Sequence, residues 1–164
     1  LGAGCGATVG KLVPGATPGR GGLGSASLPL PGGAVIGALA VVNAAGDVYD
    51  PESGAFLAGG RGPDGAPLPA ARALMAAGRS TGFAGNTTLG VIATDAALDA
   101  ARLKRLAMMA HDGYARAIRP VHLPVDGDTA FALSTGEKEV DYILLCAAAA
   151  EVMARAIANA VTAP

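Results

Sequence analysis

Two adjacent hydroxyl residues stand where a small-residue loop runs into an apolar segment, at Gly85-Asn86-Thr87-Thr88. A threonine hydroxyl is a weak nucleophile that becomes reactive when a neighbouring base takes its proton. Threonine at the start of a strand also has a simpler explanation, because β-branched residues favour strands. The segment is therefore a candidate nucleophile site only if other chemical groups converge on it.

Two carboxylates flank a glycine ahead of another apolar segment, at Asp126-Gly127-Asp128. As a local pattern this is most often a turn, because Asp and Gly both favour turn conformations. Part of a calcium loop is an alternative, but the ligand spacing of an EF-hand and its closing glutamate do not follow. Like the threonine pair, the two carboxylates lie just before a predicted strand.

Other familiar site patterns fail in detail. Residues 2–6 read G-x-G-x-G rather than G-x-G-x-x-G, and the Walker pattern would need serine or threonine where Leu12 stands. Ser25 lacks the flanking glycines of a G-x-S-x-G nucleophile elbow. His111 and His122 are too far apart in sequence for a close pair of metal ligands. We therefore expect no cofactor and no metal.

The elements that would position these groups are read from apolar periodicity. Predicted strands cover residues 34–42, 88–94 and 129–134, and predicted helices cover residues 70–77, 98–117 and 141–161. Asp95 is predicted to cap the helix that follows the second strand. Gly- and Pro-rich residues 1–33 predict turns, and residues 44–69 predict a loop. Short strands alternating with helices indicate a layered domain of the α/β or α+β class.

Composition and charge narrow the partners. The chain has 164 residues, 51% of them hydrophobic and 15% charged, with a formal net charge of −1. This fits one globular domain and argues against disorder, which needs low hydrophobicity or high net charge. Because there is no basic excess to neutralise phosphates, nucleic acid is not an expected partner.

The remaining composition points to a soluble protein of a reducing compartment. No uninterrupted apolar stretch reaches the roughly 18 to 20 residues that a membrane span needs, so we expect no membrane partner. Cys5 and Cys146 are two thiols far apart in sequence, which predicts reduced cysteines and a cytoplasmic location. No charged segment followed by an apolar one comes after Leu1, which does not fit a signal peptide.

Several separate motifs follow one another along the chain: residues 2–11 (GAGCGATVGK), 21–27 (GGLGSAS), 41–43 (VVN), 86–95 (NTTLGVIATD), 111–116 (HDGYAR), 118–122 (IRPVH) and 126–129 (DGDT). Together, and in this order, they resemble the motifs of the self-cleaving P1 or S58 peptidase family. That family includes L-aminopeptidase/D-amidase enzymes, β-peptidyl aminopeptidases and the nylon-oligomer (aminohexanoate-oligomer) hydrolase. The resemblance covers nearly the whole chain.

The resemblance implies an αββα sandwich of the N-terminal-nucleophile type, made as a precursor that cuts itself once. The matching bond is Asn86–Thr87, which divides residues 1–164 into the end of a large subunit, 1–86, and a small subunit, 87–164. Thr87 would then be the N-terminal nucleophile. Its α-amine, with an ordinary pKa of about 7.7 to 8.0, would lie within reach as the base.

The same resemblance assigns roles to four other residues. Lys11 matches an active-site lysine whose positive charge would lower the pKa of the Thr87 amine. Asn43 matches an asparagine whose amide donates to the developing oxyanion. Asp126 and Asp128 match a pair beside the nucleophile that would accept hydrogen bonds from the amine and the lysine. The role of Asp126 is less fixed, because some relatives have serine there.

The resemblance also leaves alternatives open. Family members are roughly twice as long, and their N-terminal half, which supplies part of the substrate pocket, has no counterpart in these residues. Either the chain begins partway through a polypeptide, or the remainder is a separate chain, or this is a truncated relative. The fold is then an incomplete sandwich, and a non-catalytic fragment needing a partner chain is the rival hypothesis. An ornithine acetyltransferase-like enzyme is a lesser one, since the residues around Thr87 lack its motif.

For the hydrolase reading, the expected substrates are short peptides, amides or oligoamides with a free amine. No metal or organic cofactor enters this chemistry. We expect the two subunits to stay associated after cleavage and the protein to form a homo-oligomer, since its low charge and many small apolar residues suit buried contacts.

Overall fold

The computed structural model describes residues 2–79 and 85–162. In chain order the elements are β1 (Thr8–Val9), β2 (Gly19–Arg20), β3 (Gly22–Pro29), β4 (Val35–Val42), β5 (Asp47–Tyr49), β6 (Phe56–Ala58), α1 (Ala70–Ala77), β7 (Leu89–Ala96), α2 (Ala100–Ala117), β8 (Ile118–Arg119), β9 (Thr129–Lys138) and α3 (Tyr142–Thr162). The three predicted strands and three predicted helices are all present, with ends shifted by a few residues.

A four-stranded sheet in the order β3-β4-β7-β9 organises the chain. The β3/β4 and β4/β7 pairs are antiparallel, whereas β7 and β9 run parallel. Parallel neighbours need a crossover connection, and α2 supplies it between β7 and β9. As a result, the end of β4 and the starts of β7 and β9 meet at one edge of the sheet.

Helices α2 and α3 cover one face of this sheet. Side chains alternate along each strand, so every second residue of β7 is buried beneath the helices. The core contains Ile36, Ile92, Leu106, Leu145, Met153 and Ile157, each fully buried. The described residues thus form one helix layer on one main sheet layer.

The opposite face of the sheet is apolar and open among the described residues. Five large side chains on it are between 43% and 58% exposed: Leu23, Leu39, Leu89, Phe131 and Leu133. Leu39 and Phe131 flank Val91 in directly paired positions on this face. An apolar face of this extent is unusual for the surface of a finished soluble domain.

The glycine-rich beginning of the chain contains a full strand, so the prediction of turns there was wrong for β3. Gly22 and Gly24 lie directly against the backbone of α3, where a Cβ would collide with Ala160 and Ala156. Glycine lets strand and helix approach this closely. Its abundance here reflects helix-on-sheet packing, which the sequence pattern alone did not indicate.

Residues 44–69, predicted as a loop, contain two short strands. They join β8 in a small sheet of order β6-β5-β8. A separate cluster of Leu12, Ala45 and Ala70 packs α1 near this sheet. The predicted loop was therefore only partly correct, since each of the two strands has only three residues.

Asp95 does not cap a helix. It lies in β7, where its Oδ1 accepts a hydrogen bond from Val35 N at 2.7 Å and its Oδ2 pairs with Lys138 Nζ at 2.8 Å. The cap of α2 is Asp99, whose carboxylate accepts from Arg102 N at 2.7 Å. The strand continues past the predicted end because its pairing with β9 continues.

Helix α3 is long and apolar enough to cross a membrane by length and composition, with a mean hydropathy of 1.6. However, 61% of that segment is buried inside the fold. A core helix of a water-soluble protein has the same composition, and α3 lies against β3, β4 and α2 in that way.

Tyr114 of α2 joins the helix layer to the sheet edge where β7 and β9 begin. Its buried hydroxyl donates to Thr129 O at 3.0 Å. We predict that Tyr114→Phe lowers the free energy of unfolding by about 1 to 2 kcal/mol, because a buried carbonyl loses a donor. Urea denaturation measures this change.

Tyr142→Phe is the matched control. The Tyr142 hydroxyl donates to Arg102 O at a similar 2.9 Å but at a more exposed place. Water can replace that bond, so we expect a loss below about 0.5 kcal/mol. Equal losses in the two variants would contradict the buried role of Tyr114.

Candidate active site

The residues predicted to do chemistry converge at one edge of the main sheet. Asn43 directly follows β4, Thr87 precedes β7, and Asp126 and Asp128 precede β9. Because β7 pairs antiparallel with β4 and parallel with β9, the end of β4 lies next to the starts of β7 and β9. Lys11, which follows β1, reaches the same point with its ammonium group.

The Asn86–Thr87 peptide is held at both ends. Thr87 N donates to Asn43 O at 3.0 Å, and Gly127 N donates to Asn86 O at 2.8 Å. Residues Asn86 and Asp126 form an isolated parallel bridge, which continues the β7/β9 pairing beyond the strands. The peptide is therefore fixed as a rung between the end of β4 and the approach to β9.

The Thr87 hydroxyl lies beside the carbonyl group of the same peptide. Its Oγ1 donates to Asn86 O at 2.6 Å. The hydroxyl is thus held beside the carbonyl group that an intramolecular attack would have to reach, on a peptide whose two ends are fixed.

Lys11 is buried, with 7% of its surface exposed, and points at Asn43. Its Nζ donates to Asn43 Oδ1 at 2.9 Å and to Asn43 O at 3.3 Å. Asn43 O is the same oxygen that accepts from Thr87 N. Burial lowers the pKa of Lys11, and the charge of Asp126 offsets part of that shift.

Asn43 is at the centre of the polar contacts but is already engaged. Its Oδ1 accepts from Thr8 N at 3.1 Å as well as from Lys11, and its Nδ2 donates to Gly85 O at 2.9 Å. In this continuous chain its amide thus binds the carbonyl that precedes Asn86. Its predicted role as an oxyanion donor would use the second N–H of Nδ2, or the same N–H after Gly85 O has moved away.

The loop that carries Lys11 is held by a residue that the sequence analysis missed. Asp47 is fully buried, and its carboxylate accepts from Gly60 N at 3.2 Å and Ala70 N at 2.6 Å. Burial raises the pKa of Asp47, and the two backbone donors lower it in part. Gly60 in turn packs against Gly10, which has a φ of +72° and no room for a Cβ. The sequence signal that could have identified Asp47 is its position, since an aspartate stands at the start of the short strand β5.

Asp126 faces the same interior. Its Oδ2 accepts from Leu123 N at 3.0 Å, while its buried Oδ1 has no hydrogen-bond partner among the described residues. Burial raises the pKa of Asp126, and the neighbouring charge of Asp128 adds to this. Burial therefore favours the protonated form of this carboxyl group relative to an exposed one.

Asp128 contacts the residue after the candidate nucleophile. Its side chain is 4% exposed, its Oδ1 accepts from Thr88 N at 2.8 Å, and its Oδ2 lies 3.0 Å from His122 Nδ1. The predicted acceptance from the Thr87 nitrogen does not occur in this state, because that nitrogen is a peptide N–H bound to Asn43 O. Asp128 instead fixes the backbone beside Thr87.

A histidine pair behind Asp128 was considered in the sequence only as metal ligands. His122 Nε2 lies 3.2 Å from His111 Nδ1, and both rings pack near Tyr114. Burial lowers the pKa of His111 and raises that of Tyr114, with the neighbouring His122 adding to the first shift and Asp128 to the second. His122 has a φ of +55°. The two histidines therefore help to hold the Asp128 carboxylate in place.

The site combines a hydroxyl group with several groups that could activate it. Within residues 2–79 and 85–162, no three His, Cys, Asp or Glu side chains are grouped so that they could hold a metal. The site does contain a hydroxyl beside a carbonyl, an N–H on that carbonyl, a buried lysine and two carboxylates. These are the parts that a hydroxyl nucleophile and its activating groups need.

Comparison with known proteins adds sequence relatives. All of residues 1–164 match the sequence model of peptidase family S58. An uncharacterised aminopeptidase of Mycobacterium tuberculosis is 48% identical over 124 residues, which are 71% of this chain and 36% of the relative. A 6-aminohexanoate-oligomer endohydrolase of Paenarthrobacter ureafaciens is 41% identical over 54 residues, 33% of this chain and 15% of that enzyme. The chain spans little more than a third of the mycobacterial relative.

A solved structure establishes the fold. An L-aminopeptidase D-Ala-esterase/amidase from Ochrobactrum anthropi, described as a variant of the Ntn hydrolase fold, superposes with a TM-score of 0.63 at 22% identity. The superposition covers 97% of this chain and 43% of that one. The predicted fold, part of a sandwich of the N-terminal-nucleophile type, is thereby confirmed.

Proposed function

The chain belongs to peptidase family S58, and from this premise we propose that it is a self-cleaving hydrolase of amide bonds with Thr87 as its nucleophile. The observation that carries the proposal is the Asn86–Thr87 peptide itself. Its carbonyl oxygen lies 2.6 Å from Thr87 Oγ1, and both of its ends are held by hydrogen bonds.

Self-cleavage follows from this arrangement in two steps. Thr87 Oγ1 attacks the Asn86 carbonyl carbon, a C–O bond forms, and the hydroxyl proton passes to the Thr87 nitrogen as the C–N bond breaks. The product is an ester between Asn86 and the Thr87 side chain, with a free α-amine. Water then hydrolyses this ester to an Asn86 carboxylate and a free Thr87 hydroxyl.

After cleavage the same hydroxyl would act on substrates. The Thr87 α-amine, unprotonated, takes the hydroxyl proton as Oγ1 attacks a substrate carbonyl, and later gives it to the departing amine. Lys11 and Thr87 N both contact Asn43 O, so the lysine charge lies beside that amine. Short peptides, amides and oligoamides with a free amine are the proposed substrate range.

The two fragments would stay associated after the cut. Strand β4 belongs to residues 1–86 and β7 to residues 87–164, and the two are paired over six residues each. Helix α3 of the second fragment packs on β3 and β4 of the first. We also propose that the protein forms a homo-oligomer and is located in the cytoplasm.

The open apolar face of the main sheet suggests that activity requires additional polypeptide that covers it. Leu39 and Phe131 are 45% and 58% exposed on it, and the chain spans only 36% of its mycobacterial relative. The rival hypothesis is therefore that residues 1–164 by themselves are an inactive fragment, which needs additional polypeptide to become active. Release of amine from a chromogenic amide separates an active hydrolase from such a fragment.

Substitution of the nucleophile tests the proposal. We predict that Thr87→Ala abolishes both cleavage after Asn86 and amide hydrolysis, because the attacking oxygen is gone. Thr88→Val is the matched control, since the buried Thr88 Oγ1 has no hydrogen-bond partner among the described residues; this variant should still cut itself. Gel electrophoresis and amine release measure the two activities. A Thr87→Ala protein that is cut after Asn86 would refute the assignment.

Removing the buried lysine charge should alter the pH dependence of hydrolysis. A nearby cation disfavours protonation of the Thr87 amine, so Lys11→Met should raise the pKa of that amine. The ascending limb of the pH–rate profile then moves to higher pH by about one unit. Lys11→Arg keeps the charge and should move the limb much less. Superimposable profiles for the natural and Lys11→Met proteins would show that Lys11 does not act through its charge.

A further inference from the structure

The carbonyl oxygen of Asn86 accepts a second hydrogen bond, from the backbone N–H of Gly127 at 2.8 Å. This bond is distinct from the contact with Thr87 Oγ1. During attack by Oγ1 the carbonyl oxygen gains negative charge, and the hydroxyl proton leaves for nitrogen. The backbone N–H is then a donor already in place on the oxygen where charge develops.

Gly127 is held rigidly in this position. Residues on both sides are fixed: Asp126 binds Leu123 N at 3.0 Å, and Asp128 binds Thr88 N at 2.8 Å. Thr129 N also donates to Thr88 O at 3.1 Å, which begins the β7/β9 ladder. The donor therefore needs no rearrangement when the charge appears, which is the condition for effective electrostatic stabilisation.

Building on the proposed function, we propose that the backbone N–H of Gly127 is the oxyanion donor of the self-cleavage step. The Asp126–Asp128 loop thus has a direct part in breaking the Asn86–Thr87 bond. The two carboxylates also hold neighbouring groups in place. In the uncut chain Asn43 Nδ2 donates to Gly85 O at 2.9 Å, whereas the backbone N–H that already donates to Asn86 O is that of Gly127. Asn43 keeps its predicted role for substrates, once cleavage lets Gly85 move away.

The identity of residue 127 follows from the same geometry. A Cβ at this position would lie 2.6 Å from Thr87 Oγ1 and 3.5 Å from Asn86 O. Any side chain there would displace the attacking oxygen from the carbonyl. Glycine thus supplies the N–H and leaves the space that the nucleophile occupies.

The test removes the N–H without adding an atom to the side chain. Cell-free translation with a suppressor tRNA replaces Gly127 by glycolic acid, which turns the 126–127 amide into an ester, in the protein expressed from its complete gene. The first-order rate constant for cleavage after Asn86 is followed by intact mass. We expect it to fall about 100- to 1,000-fold, the usual effect of losing one oxyanion donor.

Glycolic acid at Gly136 is the matched control. Gly136 N donates to Ser134 Oγ at 3.1 Å in β9, away from Asn86. This variant loses one hydrogen bond from a backbone N–H to a side-chain oxygen of the same strand and should cleave at close to the natural rate. Thermal unfolding of both esters in a Thr87→Ala background shows whether either has lost its fold.

Gly127→Ala is a second variant that keeps the N–H. It should also slow cleavage, because its Cβ meets Thr87 Oγ1, while its far-UV circular dichroism stays natural. A Gly127 ester that cleaves at the natural rate, or slows no more than the Gly136 ester, overturns the inference, as does natural cleavage of Gly127→Ala. If the unmodified protein never cuts after Asn86, the proposed function itself fails.

Discussion

The structure depends on how one peptide bond is held at the edge of the main sheet. The Asn86–Thr87 peptide donates to Asn43 O and accepts from Gly127 N, so it bridges the end of β4 and the approach to β9. Such a bridge exists only because β7 is antiparallel to β4 and parallel to β9. The crossover through α2, and the packing of α2 and α3 on the sheet, bring the ends of these three strands together.

The polar groups around this peptide are buried, and that burial shapes their chemistry. Lys11 has a lowered pKa and Asp126 a raised one, each because burial disfavours its charged form. The charge of Asp126 partly offsets the shift of Lys11, and backbone donors and His122 partly offset that of Asp126. Burial therefore favours the neutral form of both the lysine and the carboxyl group, next to the bond whose cleavage we propose.

Much of the fold could be predicted from the sequence. Helices α2 and α3 have apolar residues at helical spacing, and strands β4, β7 and β9 are short apolar segments next to turn residues. Strand β3 could not be predicted, since Gly22 and Gly24 are explained by the backbone of α3, which is distant in sequence. The candidate site residues came from motif resemblance, and the structure brings them together. The contacts of Asp128 with Thr88 N and His122, and of Asn43 with Gly85 O, depend on tertiary placement that spacing does not encode.

The central claim is that Asn86–Thr87 is a bond which the protein breaks by itself. The most direct measurement is the intact mass of the purified protein under denaturing conditions. We predict a fragment whose mass matches residues 87–164 and whose first residue is Thr87. A protein that stays as one continuous chain, in its complete form and after prolonged incubation, would contradict it.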